Sequence, residues 1–288
     1  MTVKLLVYGA GALGSLFAAR LHEAGHEVSL LARGARLASV RAHGVRLAQE
    51  GRAEVRSVPV RVVDEPGGGY DLTVVIVRAH QVGPVLDSLV DTGGDVALLA
   101  NWAAGPGPLV KALGPERVLL GFPAAGGRVV DDVLRHRAET PLTRLVTMPV
   151  GEPDGRVTPR LKEVVRVFRG AGLPARAEPG VDAWLATHAS FVAPLGQAVD
   201  AAGGPAELAG DRDAVLALAR RIKANLTAAP TPVAPLGYRA LRAMPDGLVA
   251  AGLRRFLRGT IAELGLAPTA AATAENALLV EQLRERAG

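Results

Sequence analysis

The sequence predicts an α/β chain in two parts: a parallel sheet wound with helices over residues 1–178, then an all-helical part over residues 179–288. Three observations carry this. The apolar run Val3-Lys4-Leu5-Leu6-Val7-Tyr8 leads into Gly9, Ala10, Gly11, Ala12, Leu13 and Gly14, with a helical stretch behind it over 15–23. Residues 71–77 and 96–100 are continuous apolar runs, the pattern of parallel strands buried on both faces. From about Val181 onward, strand-like runs give way to Ala-, Leu- and Arg-rich helical patterns.

The spacing G-x-G-x-x-G has a physical reading. Gly9 allows the tight turn, Gly11 lets the backbone approach a pyrophosphate, and Gly14 brings helix close to strand. The helix start adds unpaired N–H groups and the positive end of its dipole. A Rossmann-type dinucleotide site is therefore expected at Gly9, Ala10, Gly11, Ala12, Leu13 and Gly14. After Gly25-His26, a second strand is expected over 27–32, and its end lies beside the adenine ribose in such a fold. A carboxylate there favours NAD, whereas an arginine accepts the 2′-phosphate of NADP. The chain has Ala32-Arg33-Gly34-Ala35-Arg36 and no carboxylate. NADPH is the expected cofactor, with Arg33 as first contact and Arg36 as helper.

Further along, residues 36–43 read as a helix stopping at Gly44. Residues 45–48 and 55–60 flank Glu50-Gly51 as a β-hairpin inserted in the wound sheet. The two buried runs end at Arg78-Ala79-His80-Gln81 and at Asn101. Ligands of open α/β sheets bind beyond the carboxyl ends of strands, which favours Arg78, His80, Gln81 and Asn101 for chemistry. Residues 118–122 and 144–150, a helix near 158–169, and residues 173–176 complete the first part. Helices are expected over 182–198, 212–228, 245–264 and 270–286, with a stiff proline loop over 230–235. The active site is expected in the cleft between the parts.

Composition narrows the classes. With 49% hydrophobic and 21% charged residues, the chain reads as an ordinary globular protein, and its 3% aromatics leave the core to Ala, Val and Leu. The lack of cysteine excludes disulfides, thiolate metal sites and a cysteine nucleophile. No carboxylate or histidine spacing suggests a metal site. The net charge of +5 comes from scattered arginines without a basic run or interleaved aromatics, so nucleic acid is not an expected partner. No apolar stretch of about 18 residues predicts a membrane span, and the expected location is the cytoplasm.

The order Val7-Tyr8-Gly9-Ala10-Gly11-Ala12-Leu13-Gly14, Leu31-Ala32-Arg33-Gly34, Val75-Ile76-Val77-Arg78-Ala79-His80-Gln81 and Leu98-Leu99-Ala100-Asn101 resembles the ketopantoate reductase (2-dehydropantoate 2-reductase) family. Asp182-Ala183-Trp184-Leu185 and Ala262-Glu263-Leu264-Gly265-Leu266-Ala267-Pro268 are similar to that family's helical segments. The resemblance implies NADPH, a 2-oxo acid or related small-molecule substrate, and a homodimer. Cofactor contacts are expected at Arg78, Gln81 and Asn101, with Arg78 alternatively pairing a substrate carboxylate and Asn101 also able to reach a substrate oxygen. The chain departs from the family where a catalytic lysine is expected. Anchoring on Trp184 puts Ala186 there, anchoring on Pro194 puts Leu185 there, and no lysine lies between Lys162 and Lys223. The family's substrate-binding glutamate has no counterpart in Gly247-Leu248-Val249-Ala250-Ala251, with Asp246 nearest.

Hydride delivery to a carbonyl or imine needs a proton donor for the developing charge. His188, one helical turn after Trp184, is the candidate. Trp102, Trp184, Thr187, Ser190 and Phe191 are the expected substrate contacts, and their apolar share suggests a substrate less polar than a small hydroxy-keto acid. The expected function is an NADPH-dependent reductase of a C=O, C=N or activated C=C group in a substrate other than ketopantoate. The alternatives are a reductase-like scaffold for a non-redox cyclisation or isomerisation, and a non-catalytic nucleotide-binding protein.

Overall fold

The computed structural model describes residues 2–137, 146–229 and 235–287, and the chain divides into two compact units. The first comprises Met1–Val77, Gln81–Ala100 and Pro106–Val181; the second comprises Arg78–His80, Asn101–Gly105 and Asp182–Gly288. Two short strand-end segments thus belong with the helices, a grouping that chain order does not display.

In the first unit the strands are β1 (Lys4–Tyr8), β2 (Glu27–Leu31), β3 (Val45–Gln49), β4 (Arg56–Val58), β5 (Arg61–Val63), β6 (Leu72–Val75), β7 (Asp95–Leu99), β8 (Val118–Gly121), β9 (Gly127–Val130), β10 (Val133–His136), β11 (Met148–Gly151) and β12 (Ala175–Ala177). Eight of them form one sheet in the order β12-β11-β8-β7-β6-β1-β2-β5, parallel throughout except between β8 and β11. Every residue of β6 and β8 is buried, as expected of strands covered on both faces. β1 lies between β2 and β6, at the point where strand order reverses, so the turn after Tyr8 opens where such sheets bind ligands.

The hairpin expected at 45–60 exists, with Leu47 opposite Arg56, but it is not inserted in the wound sheet. β3 instead pairs in parallel with β10, Leu47 opposite Leu134, in a separate four-stranded sheet β4-β3-β10-β9. Pro59 separates β4 from β5 because it has no N–H to give a ladder, and β5 then joins β2 at the edge of the main sheet. The β9–β10 hairpin turns on Asp131 and Asp132, with φ of 49° and 62°, the left-handed pair that a two-residue hairpin turn requires.

Helices α1 (Ala12–Glu23), α2 (Gly34–His43), α3 (Ala79–Leu89), α4 (Gly107–Leu113) and α5 (Pro159–Gly170) accompany the strands. Thr158 caps α5 by accepting from the Leu161 N–H at 3.2 Å, and Pro159 opens the first turn without losing a bond. Phe17 of α1 meets Phe168 of α5 edge to face at 6.1 Å, both fully buried with Leu5, Val7, Val74 and Leu99. Truncating either ring to alanine is expected to cost about 3–5 kcal/mol.

The second unit contains α6 (Val181–Ala202), α7 (Pro205–Gly210), α8 (Arg212–Ala228), α9 (Leu236–Ala243), α10 (Asp246–Leu257), α11 (Thr260–Gly265) and α12 (Ala270–Ala287). Asp211 caps α8 by accepting from the Asp213 and Ala214 N–H groups. Leu195 and Val199 of α6 pack with Leu218, Ile222 and Leu226 of α8 and with Leu253 and Leu257 of α10. On a second face of α6, Ala189 and Ala193 pack with Ala79, Ala103 and Leu279. The single helix expected over 245–264 is two, because the backbone at Gly259 is extended and α11 starts afresh. Residues 230–234 of the proline loop, and Arg144 and Leu145 of the run at 144–150, lie outside the described residues. Among the described residues no helix is long and apolar enough to cross a membrane.

Candidate functional site

The glycine turn is shaped by backbone contact. Gly9 has φ 113°, and a Cβ there would stand 2.3 Å from the Ile76 carbonyl oxygen. A Cβ on Gly14 would stand 1.8 Å from the Gly9 carbonyl oxygen, so strand and helix meet here only if both positions lack side chains. A Cβ on Gly11 would meet nothing within 4 Å. That open space, beside the start of a helix that no side chain caps, suits a pyrophosphate approaching the backbone.

Two arginines differ sharply. Arg33 stands exposed at the start of α2. Arg36 is only 16% exposed and is committed: its Nη1 reaches Asp132 Oδ1 at 2.6 Å and its Nη2 reaches Ser15 Oγ at 3.0 Å. Ser15 in turn donates to the Ala10 carbonyl at 3.2 Å, and Ser39 also bonds Asp132. Arg36 therefore braces the glycine turn from the β9–β10 hairpin. Gln81, at the start of α3, is exposed. A cavity of about 550 Å³ in this unit, lined among others by Arg20, Glu23, Arg56 and His136, includes no residue of the turn.

In the second unit, Arg78 and Asn101 sit on the two strand-end segments. Arg78 Nη1 meets Glu275 Oε2 at 2.8 Å with the arginine side chain 45% exposed. Asn101 Oδ1 and His80 Nδ1 are buried without a hydrogen-bond partner among the described residues, acceptor and ring nitrogen left for something else to satisfy. Trp102 is buried, and its Nε1–H is spent on the Gly105 carbonyl at 2.7 Å, which closes its own loop.

The face of α6 expected to meet substrate is largely packed. Trp184, Thr187 and Ser190 are buried, and Ser190 Oγ donates back to the Ala186 carbonyl at 2.9 Å. Trp184 stacks on the His188 ring at 5.0 Å, and His188 Nδ1 lies 3.0 Å from the Tyr238 hydroxyl. Phe191 touches the same tyrosine, ring centres 5.4 Å apart. Burial pushes the His188 imidazole down to about 4 and the Tyr238 phenol up to about 12. His188 is therefore neutral near pH 7. The residue expected as proton donor is thus a buried imidazole whose desolvation disfavours the cation.

Tyr238 is the residue that sequence reasoning missed. Its only signal was an aromatic in the short amphipathic stretch after the prolines. At the positions expected for the lysine, Leu185 and Ala186 are both 2% exposed. Lys223 is bound to Asp246 Oδ1 at 2.6 Å and to the Met244 carbonyl at 2.7 Å. Asp246 is held below the usual carboxylate range, first by that lysine bond and then by Arg220. Neither is available as a displaced catalytic group. Among the described residues no three His, Asp or Glu side chains gather to hold a metal.

Residues 5–142 match the family described as ketopantoate reductase PanE/ApbA. The chain is 29% identical over 211 residues to a 2-dehydropantoate 2-reductase of Mesorhizobium japonicum, covering 64% of this chain and 63% of that protein. It is 32% identical over 175 residues to the enzyme of the same name from Archaeoglobus fulgidus, covering 60% of this chain and 55% of that protein. The chain thus spans less than two thirds of the length of these curated relatives. Two solved structures share the fold along nearly its whole length. D-mandelate dehydrogenase with NADH and anilino(oxo)acetate has a TM-score of 0.72 at 16% identity, covering 99% of this chain and 98% of that one. The 2-dehydropantoate 2-reductase of Porphyromonas gingivalis W83 has a TM-score of 0.68 at 17% identity, covering 97% and 100%. Over residues 5–142 the chain is thus similar to the ketopantoate reductase PanE/ApbA family, and the solved structures share its fold.

Proposed function

We propose that this chain is a nicotinamide-dependent reductase that prefers NADPH and acts on a C=O, C=N or activated C=C group of a small molecule other than ketopantoate. One observation carries the cofactor half. The space beside Gly11 is open at an uncapped helix start, and Arg33 stands exposed at the end of the neighbouring strand. The departure from ketopantoate rests on the lysine-free stretch between Lys162 and Lys223, with Leu185 and Ala186 buried where the resemblance places the amine.

NADPH, when bound, supplies a hydride. The chain's residues would then manage the charge that develops on the substrate. Asn101, with its unsatisfied Oδ1, orients a donor group of the ligand. The neutral pair His188–Tyr238 holds a proton at the phenol oxygen, 3.0 Å from the imidazole, where a carboxylate or lysine is absent. A neutral donor suits an imine that arrives already protonated better than a ketone.

Titration with NADPH and NADH, read by nicotinamide fluorescence, followed by oxidation with a panel of carbonyl, imine and enone acceptors, tests this reading. NADPH binding with turnover on one acceptor class is expected. NADPH binding with no oxidation by any acceptor would favour the non-redox or non-catalytic alternatives, which the buried and uncharged state of His188 also favours. Absence of binding by either nucleotide would end the proposal.

A further inference from the structure

Three polar side chains of α12 recur on one helical face: Glu275, Gln282 and Arg286, with Leu279 between them in the apolar cluster. Glu275 and Gln282 are 7% and 5% exposed, and burying such groups is costly unless they are fully bonded. Their bonds go to the two strand-end segments. Glu275 Oε1 accepts from the Ala79 N–H at 3.0 Å while its Oε2 accepts from Arg78 Nη1 at 2.8 Å. Gln282 Oε1 accepts from the Ala103 N–H at 3.0 Å, and Arg286 Nη1 donates to the Ala103 carbonyl at 3.3 Å while also pairing with Asp182. Apolar residues would pack this face as well, but they could not hold an arginine head in place.

We propose that Glu275 is a positioning residue for Arg78, fixing its guanidinium as the arm that receives an anionic group, a phosphate or a carboxylate, of the reaction's ligands. The buried carboxylate grips one side of the fork and the backbone beside it, so the arginine is preset while its side chain stays 45% exposed. A planar guanidinium held in this way loses less freedom when it closes on an oxyanion. The ligand half of the inference rests on the proposed reductase function; the tether between Glu275 and Arg78 does not.

Glu275→Gln tests it in the full chain, because the amide oxygen can still accept from the Ala79 N–H while the charge-assisted bond to Arg78 is lost. Nitrogen-15 spectra of the arginine side chains should show the Arg78 Nη signals resolved in the parent and merged in Glu275→Gln. NADPH or pyruvate, each titrated alone, should bind roughly tenfold more weakly to Glu275→Gln, and which of them weakens tells phosphate from carboxylate. In an Arg78→Ala background the same substitution should change neither affinity. Merged Nη signals in the parent, unchanged Nη signals in Glu275→Gln, or an equal loss of affinity in both backgrounds would overturn the assignment. A parent that binds neither probe yet shows the expected Nη response would remove the reductase reading and leave the tether standing.

Discussion

The two units present opposite kinds of candidate site. In the first, backbone shape does the work: Gly9 and Gly14 are required by carbonyl oxygens 2.3 and 1.8 Å from where a Cβ would be, and Gly11 faces open space. In the second, side chains do it. A buried carboxylate holds an arginine, a buried imidazole holds a phenol, and the positions where an amine was expected carry Leu185 and Ala186. A backbone-built site leaves its record as a spacing of glycines, whereas a side-chain-built site can be rewritten while its helices stay in place.

The hardest test of this contrast is Gly14→Ala. Its Cβ would meet backbone, which cannot swing aside, so a loss of more than about 4 kcal/mol in urea unfolding is expected, together with nucleotide binding. A variant that unfolds within about 1 kcal/mol of the parent would show that the turn can relax and is not set by backbone contact.

Next is the acid limb of stability. The folded His188 titrates near 4 against an ordinary 6.5, so below that value the unfolded chain binds the extra proton. Stability is full above about pH 6.5 and falls as pH drops toward 4, by on the order of 3 kcal/mol from this group. In His188→Gln that portion of the slope should vanish. An unchanged slope in the variant would mean that the imidazole is hydrated.

Arg33→Asp probes the first unit again, with a smaller effect. Losing a charge-assisted contact should weaken NADPH by roughly ten- to a hundredfold while leaving NADH nearly unaffected. Equal losses for the two nucleotides would mean that Arg33 does not read a 2′-phosphate. Asp132→Asn should have the smallest effect, about 1 kcal/mol of stability, because it weakens a partly exposed brace without emptying any core. If NADPH affinity falls more than stability does, Arg36 is a ligand contact after all.

Much of the fold could be read in the residues because its signals are local. The uninterrupted apolar runs that became β6, β7 and β8, the Thr158-Pro159 start of α5 and the Asp211 start of α8 each declare themselves within a few positions. The second sheet did not, because its central pairing joins β3 to β10 from distant parts of the chain, and no window contains both. β5 escaped for a similar reason: three residues after a proline carry too little pattern. At the site, the glycine turn was legible, and so were Arg78 and Asn101 as strand-end residues. The partners were not. Glu275 reads as one more charge on a helix until its distances to Arg78 and Ala79 are measured, and Tyr238 gains meaning only beside His188. Burial decides whether a histidine is an acid or a packing element, and a place one turn after Trp184 does not say how dry His188 is.

The parallel pairing of β3 with β10 also sets a sequence in time. Joining Leu47 to Leu134 spans the chain that forms half of the main sheet's strands, so this contact closes a long loop whose entropy is repaid only at the end. During refolding, amides of β1 and β6 should gain protection before those of β3 and β10, and pulse-labelled hydrogen exchange would display the order. Since Asp132 in the β9–β10 turn is what holds Arg36 against Ser15, the brace on the glycine turn is among the last parts of the chain to arrive. A newly made chain would therefore acquire its sheet before it acquires a finished glycine turn.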